Sequence, residues 1–275
     1  MDTSAGCRLN GGGGDSGSGM ITLEDLESFT DDQDLDSACH SQGSGSLEED
    51  TEPIEEERGR LLHYWQDIGR VHQVDVPTDM AVPIHQLTTN NNSSTAREKV
   101  PFTLITQKKK CGEILYEKRH YEKAKWACIR VHEEKYEQST CLGFMKLMRY
   151  ICEQNSTGSY LGMTVPIVTV VRTEQSRSLL SREVMVAYHL PAQHQDHPPQ
   201  PNDTDIVIQE WPASIIYTRS FSSVTNEDSI LNQISLLVEV LDMPQIHLED
   251  SFIVAGYTNP AAPVRRNEIW VLHRL

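Results

Sequence analysis

Ile114-Leu-Tyr-Glu-Lys-Arg-His-Tyr-Glu-Lys-Ala-Lys-Trp-Ala-Cys-Ile-Arg-Val131 and, a short polar break later, Thr140-Cys-Leu-Gly-Phe-Met-Lys-Leu-Met-Arg-Tyr-Ile-Cys152 decide the fold. In the first stretch, Ile114 to His120 and Ala124 to Val131 read as strands, and Tyr121-Glu122-Lys123 between them reads as a hairpin. In the second, Cys141, Phe144, Met145, Met148, Ile151 and Cys152 fall at i, i+3, i+4 spacing, which gathers them on one face of a helix. Two more strands are expected at Met163 to Arg172 and Glu183 to Leu190, followed by a connector, Pro191 to Asp203, that holds four prolines. The same order then recurs. Asp205 to Gln209 and Ser214 to Phe221 are strands, Glu227 to Leu241 is a helix with Ile230, Leu231, Ile234, Leu237, Val238 and Leu241 apolar, and Phe252 to Thr258 and Glu268 to His273 are strands. Each strand-strand-helix-strand-strand unit has too little apolar surface to stand alone. The expectation is therefore an α+β domain in which two helices pack on one shared, mostly antiparallel sheet that curls toward a distorted β-barrel, built by duplication of a ββαββ unit.

Upstream the texture differs. Residues 1 to 57 hold 16 acids and a single base, Arg8, for a charge of -15, whereas residues 58 to 275 hold 24 acids and 23 bases, for -1. The net charge of -16 thus belongs to a tail of Gly, Ser, Asp and Glu that cannot bury enough apolar surface to offset its ordering entropy. Its run Gly11 to Gly14 lacks the Lys-Ser/Thr of a phosphate loop. Within it, Ile21-Thr-Leu-Glu-Asp-Leu-Glu-Ser-Phe29 sets apolar residues among acids, a composition suited to folding onto a protein partner. Residues 58 to 99 read as a linker with one docking element. Leu61, Leu62, Tyr64, Trp65 and Ile68 suggest a short helix ending near Gly69, Val71 to Val76 alternates like a strand, and Asn90 to Thr95 reads as a loop. The division expected is 1–57 acidic tail, 58–99 linker, 100–275 folded domain.

Composition excludes several classes. No basic face is available for nucleic acid. The longest apolar runs, Val165 to Val171 and Ile234 to Leu241, are less than half a membrane span. The N-terminus shows neither the basic region nor the apolar block of a secretory signal. The six cysteines, at 7, 39, 111, 128, 141 and 152, form no CxxC pair, so a reduced, cytoplasmic protein is expected.

Five blocks then carry a resemblance: Tyr116-Glu-Lys-Arg-His-Tyr-Glu-Lys-Ala-Lys-Trp126, Gly162-Met-Thr-Val-Pro-Ile167, Pro198-Pro-Gln-Pro201, Tyr217-Thr-Arg-Ser-Phe221, and Gly256-Tyr-Thr-Asn-Pro260 with Arg265-Arg-Asn-Glu-Ile-Trp270. In order and spacing they resemble the SOUL/heme-binding protein family over residues 100 to 275. The resemblance implies a duplicated antiparallel barrel with two helices, and non-enzymatic, reversible binding of heme or related tetrapyrroles, as a carrier or buffer. It also implies tetrapyrrole contacts on the first helix of the repeat, where Phe144, Met145, Met148 and Ile151 would line an apolar slot, with Met148 at a position where a methionine borders the pocket. His120 sits in the Arg-His-Tyr setting of an axial histidine proposed in one branch of the family, and is the candidate iron ligand. For the propionates, the family uses basic residues on this helix and near the C-terminal Gly-Tyr block. Here Cys141 replaces an arginine seen in one relative and Ala261-Ala262 stand where a lysine is expected, which leaves Arg149, Arg265 and Arg266 as substitutes.

Two other constellations stand out by residue type. His189, His194 and His197 lie within nine residues, a spacing that suits a Cu or Zn site, but the interleaved prolines and the lack of a nearby Cys favour a solvated loop. Ser176, Ser178 and Ser181 have no Gly-x-Ser-x-Gly setting and supply no evident nucleophile. The competing function is a protein-interaction module, the same barrel presenting its groove to a peptide after losing its propionate clamp.

Overall fold

The structure is a computed structural model, and it describes residues 51–92, 97–173, 179–241, 251–257 and 266–272. The acidic tail to residue 50, including Ile21 to Phe29, lies outside the described residues, as do Ser176, Ser178, Ala261, Ala262 and Arg265.

Nine antiparallel strands form one curled sheet, in the order β2 (Thr103–Lys110), β3 (Glu113–Tyr121), β9 (Ser214–Phe221), β11 (Asn267–Leu272), β10 (Ser251–Gly256), β6 (Ile167–Arg172), β7 (Glu183–His189), β4 (Ala124–His132), β8 (Ile206–Trp211). A two-residue parallel pair, β1 (Glu98–Lys99) with β5 (Thr164–Val165), sits beside it. The order has a pseudo-twofold between β6 and β10, which pair from Ile167 opposite Gly256 to Arg172 opposite Ser251. About that line β7 matches β11, β4 matches β9, and β8 matches β3. Each half thus sends its first strand across to the second strand of the other half, β3 onto β9 and β8 onto β4. The duplicated α+β architecture read from the sequence is the one present, curled into a half-barrel with β2 and β8 at its edges.

Strand β2 is an addition that the repeat did not foreshadow. It folds back on β3 through Cys111-Gly112, both with positive φ, 51° and 88°, the conformation a two-residue hairpin turn needs. Every strand near the centre of the sheet is buried on both faces, so side-chain alternation builds two cores. Ala127, Ile129, Val184, Val186, Tyr188, Phe252, Val254, Ile269 and Val271 face the helices. Trp126, Cys128, Ala187, Ile253, Ala255 and Trp270 face the concave side.

Four helices lie on the convex side. α3 (Tyr136–Cys152) packs on β4 and β7, and α4 (Glu227–Leu241) on β3, β9 and β11. Gly143 lets α3 approach closely: a Cβ there would meet Val186 Cγ2 at 2.7 Å and Val131 Cγ2 at 3.3 Å. The other two helices come from the stretch read as a linker. α1 (Thr51–Val71) and α2 (Ala81–Asn92) form a hairpin whose Leu61, Trp65, Val74, Val76, Met80, Ile84 and Leu87 are all buried in the same core as α3. Val71 to Val76 is therefore not a strand. After α1 ends, His72 and Gln73 make a turn, Gln73 with a positive φ of 59°, and Val74 and Val76 beyond it are buried in the core outside any strand. Asn90 to Asn92, expected in a loop, are the end of α2.

Candidate ligand-binding cavity

The residues expected to border a tetrapyrrole on α3 are gathered on that helix and covered. Phe144, Met145, Met148 and Ile151 are all buried, and the cover is the α1–α2 hairpin. Trp65 of α1 stacks on Phe144, with ring centroids 6.5 Å apart and planes 24° from parallel. Arg149 Nη2 donates to both carboxylate oxygens of Asp79, at 2.8 and 2.9 Å, and the Cys152 thiol points to the Pro83 carbonyl. The groove that the sequence leads one to expect beside α3 is filled by the chain's own side chains.

His120 stands elsewhere. On β3 it alternates with Arg119 and Tyr121, which face the concave side, and so projects to the helix-bearing face. Its Nδ1 lies 3.4 Å from Glu122 Oε1. Arg266 stacks over the Tyr257 ring at 4.7 Å and approaches Glu268 at 3.9 Å. The structure does not bring His120, the α3 residues and Arg266 to one opening. His194 and His197 lie on the surface, and among the described residues no three His, Cys, Asp or Glu side chains are grouped to hold a metal ion.

The concave side does contain an opening. A cavity of about 420 Å³ lies where β3 passes to β4, walled by Tyr121, Trp126, Trp211, Trp270, His189, Val170, Met185 and Ile253. That volume is within the roughly 300–1,000 Å³ of small-molecule sites. Three of the chain's four tryptophans meet here. Trp126 and Trp211 stack at 4.5 Å and 18°, Tyr121 leans on Trp270 at 5.0 Å, and the His189 ring meets Trp126 edge-on at 5.0 Å. Local sequence explains the convergence. Trp126, His189 and Gln209 share one register line across β4, β7 and β8, so the inward positions of neighbouring strands fall side by side. In the sequence, Trp126 and Trp270 stand out only as parts of motifs. The available signal was their shared strand parity with Tyr121, which becomes informative once the pairing is known.

The electrostatics divide the concave side into a charged end and an apolar end. Arg119 donates to Glu268 from Nη1 and Nη2, at 2.8 Å each, with both side chains buried. Tyr257 Oη and Trp270 Nε1 also donate to Glu268, at 2.8 and 2.7 Å. Burial alone would raise the Glu268 carboxyl, but the Arg119 guanidinium and these donors outweigh it and hold it below the usual range. Arg119, though adjacent to His120 in the motif, is thus committed to an internal pair. At the apolar end, burial pushes His189 down to about 4, so its imidazole is neutral at neutral pH. Burial likewise pushes the Cys128 thiol up to about 12, which makes it a packing group and not a thiolate. The cavity rim carries Glu98, Glu122 and Lys123, the last with its Nζ 3.8 Å from Glu210.

Fold and cavity together define an α+β half-barrel with an aromatic-walled hollow on its concave side. A family profile described as SOUL heme-binding protein matches residues 97–272, and the chain belongs to that family. Heme-binding protein 1 of Mus musculus is 28% identical over 162 residues, which is 58% of this chain and 85% of that one. Heme-binding protein 2 of Homo sapiens is 27% identical over 161 residues, 58% of this chain and 78% of that one. Among solved structures, one titled as the crystal structure of the EcmrR C-terminal domain covers 58% of this chain and 98% of its own, with a TM-score of 0.42 and 12% identity. The α1–α2 hairpin precedes the matched region.

The cavity's residues fit a tetrapyrrole. A flat macrocycle needs apolar faces to lie against, which the tryptophans offer. Its iron would supply redox and ligand-binding chemistry, and His189 is the neutral imidazole in the wall that would be available to hold it. Lys123 is the cation at the rim that would meet a propionate, and it stands among the carboxylates Glu98, Glu122 and Glu210.

Proposed function

We propose that this protein binds heme or a related tetrapyrrole in the concave cavity and acts as a non-enzymatic carrier or buffer. The observation that carries the reading is the meeting of Trp126, Trp211, Trp270 and Tyr121 around one hollow of about 420 Å³ in a chain of the SOUL family. The α3 face is the less favoured location, because reaching Phe144 or Met148 first requires lifting Trp65, Met80 and Ile84 out of the core. Titration with hemin, read at the Soret band, tests the proposal. The expected result is saturable binding at one equivalent, weakened at least about tenfold, ~1.4 kcal/mol, by Trp126→Ala or Trp211→Ala. Non-saturating association, or binding indifferent to both tryptophans, would contradict it.

A second reading, a protein-interaction module, has one observation in its favour. Strand β2 stands at an edge of the sheet with Leu104 and Ile105 exposed, and such an edge is of the kind that accepts a further strand. For location, we read the protein as cytoplasmic. The four described cysteines are all free, and among the described residues no helix is long and apolar enough to cross a membrane.

A further inference from the structure

His189 is the last residue of β7 and projects to the concave side with Met185 and Ala187, into the wall of the aromatic cavity. The residue is 4% exposed, yet its hydrogen-bonding capacity is barely used. Nδ1 has no partner. Nε2 has one polar neighbour, the Gln195 side-chain nitrogen, at the 3.5 Å limit. That nitrogen already gives its two hydrogens elsewhere, to the Leu190 carbonyl at 2.6 Å and the Lys125 carbonyl at 3.1 Å. The orientation of the Gln195 amide is set as well, because its Oε1 accepts the Lys125 backbone N–H at 2.7 Å. A neutral imidazole has one N–H and one lone pair, and buried polar groups in native proteins are normally satisfied. A histidine packed edge-on against Trp126 with neither nitrogen well partnered is costly unless a ligand completes it.

The chemistry of that ligand follows from what surrounds the ring. Among the described residues no group of three His, Cys, Asp or Glu side chains includes His189, so a bare aqua cation would find too few protein donors and be held weakly. A metal that arrives with four in-plane donors of its own needs only an axial one, and it needs flat apolar walls for the rest of its surface. We propose that His189 is the axial ligand to the iron of a tetrapyrrole bound in the concave cavity. The inference rests on the functional reading above and adds to it the residue that touches the metal.

The test uses the full chain, wild type and His189→Ala, each titrated with hemin and with metal-free protoporphyrin IX, which shares the macrocycle and propionates but has no iron. Wild-type protein binds both, and the hemin complex shows the absorption and electron paramagnetic resonance signature of imidazole ligation. In His189→Ala, hemin affinity falls at least about tenfold, the signature is lost, and added free imidazole restores it, while protoporphyrin IX binding is unchanged. Thermal melting of both proteins without ligand confirms that the variant is folded, and His189→Gln, which keeps a polar side chain, repeats the loss of signature if the alanine variant melts early. Unaltered hemin affinity and spectrum in the variants would overturn the inference and leave the functional reading standing. Equal losses for both porphyrins would overturn it by making His189 a packing residue. Failure of wild type to bind either porphyrin would overturn the functional reading, and the ligation with it.

Discussion

Arg119 and His120 are neighbours in the chain and opposites in the fold. Strand alternation sends Arg119 to the buried concave side, where it meets Glu268, and His120 to the other face beside Glu122. A buried guanidinium-carboxylate pair leaves a costly orphan when one partner is removed, so Glu268→Gln is expected to lose about 3–5 kcal/mol at neutral pH. The pH dependence has a definite sign. Because the folded-state Glu268 lies below its ordinary value near 4.5, its stabilisation is complete above that value and is lost as pH falls through the folded one. Urea unfolding of wild type and Glu268→Gln at pH 7 and pH 3 should show a gap that narrows in acid. A gap of the same size at both would mean that Glu268 is not ionised in the fold. For His120, facing away from the cavity, His120→Ala is expected to leave the hemin spectrum unchanged. Loss of the ligated spectrum there would return the iron to β3.

The helices show what periodicity reveals and what it hides. α3 and α4 were legible because six apolar positions recur on each at helical spacing. α2 was missed: its sequence holds Pro83 in the first turn and ends in three asparagines, and the signal that remained, Met80, Ile84 and Leu87 at i, i+4, i+7, straddles the break before Ala81. β2 was missed because it is exposed along nearly its whole length and ends in Lys108-Lys109-Lys110, so no burial alternation marks it. The candidate site fared differently from the fold. Side-chain types on α3 pointed to an apolar slot, and nothing local to α3 says that Trp65, many residues away, occupies it. If the α1–α2 hairpin is integral to the core, Trp65→Ala should cost about 3–5 kcal/mol in chemical unfolding. A loss under about 1 kcal/mol would mean that α1 docks only loosely. Gly143→Ala tests the α3 contact from the other side. With Val186 and Val131 closing on the added methyl, it is expected to destabilise by about 1–3 kcal/mol, where a helix-propensity gain alone would stabilise.

At the scale of the molecule, duplication makes one continuous sheet from two units that exchange their first strands, and the curl gives that sheet two insides. The convex one is closed by four helices. The concave one is closed only in part, by the Arg119–Glu268 network at one end, and it opens at the β3–β4 corner where the aromatic wall stands. Removal of residues 1 to 50, which carry most of the acids outside the family match, is expected to leave porphyrin affinity within about twofold, since like charge does not attract propionates. A large drop in affinity on truncation would assign the tail a share of the site. The location of the ligand is tested most directly by a crystal structure of the protein with hemin bound. The macrocycle is expected against Trp126 and Trp211 with its iron facing His189 and the α1–α2 hairpin in place, whereas a macrocycle lying on Phe144 and Met148 beneath a displaced hairpin would contradict the account.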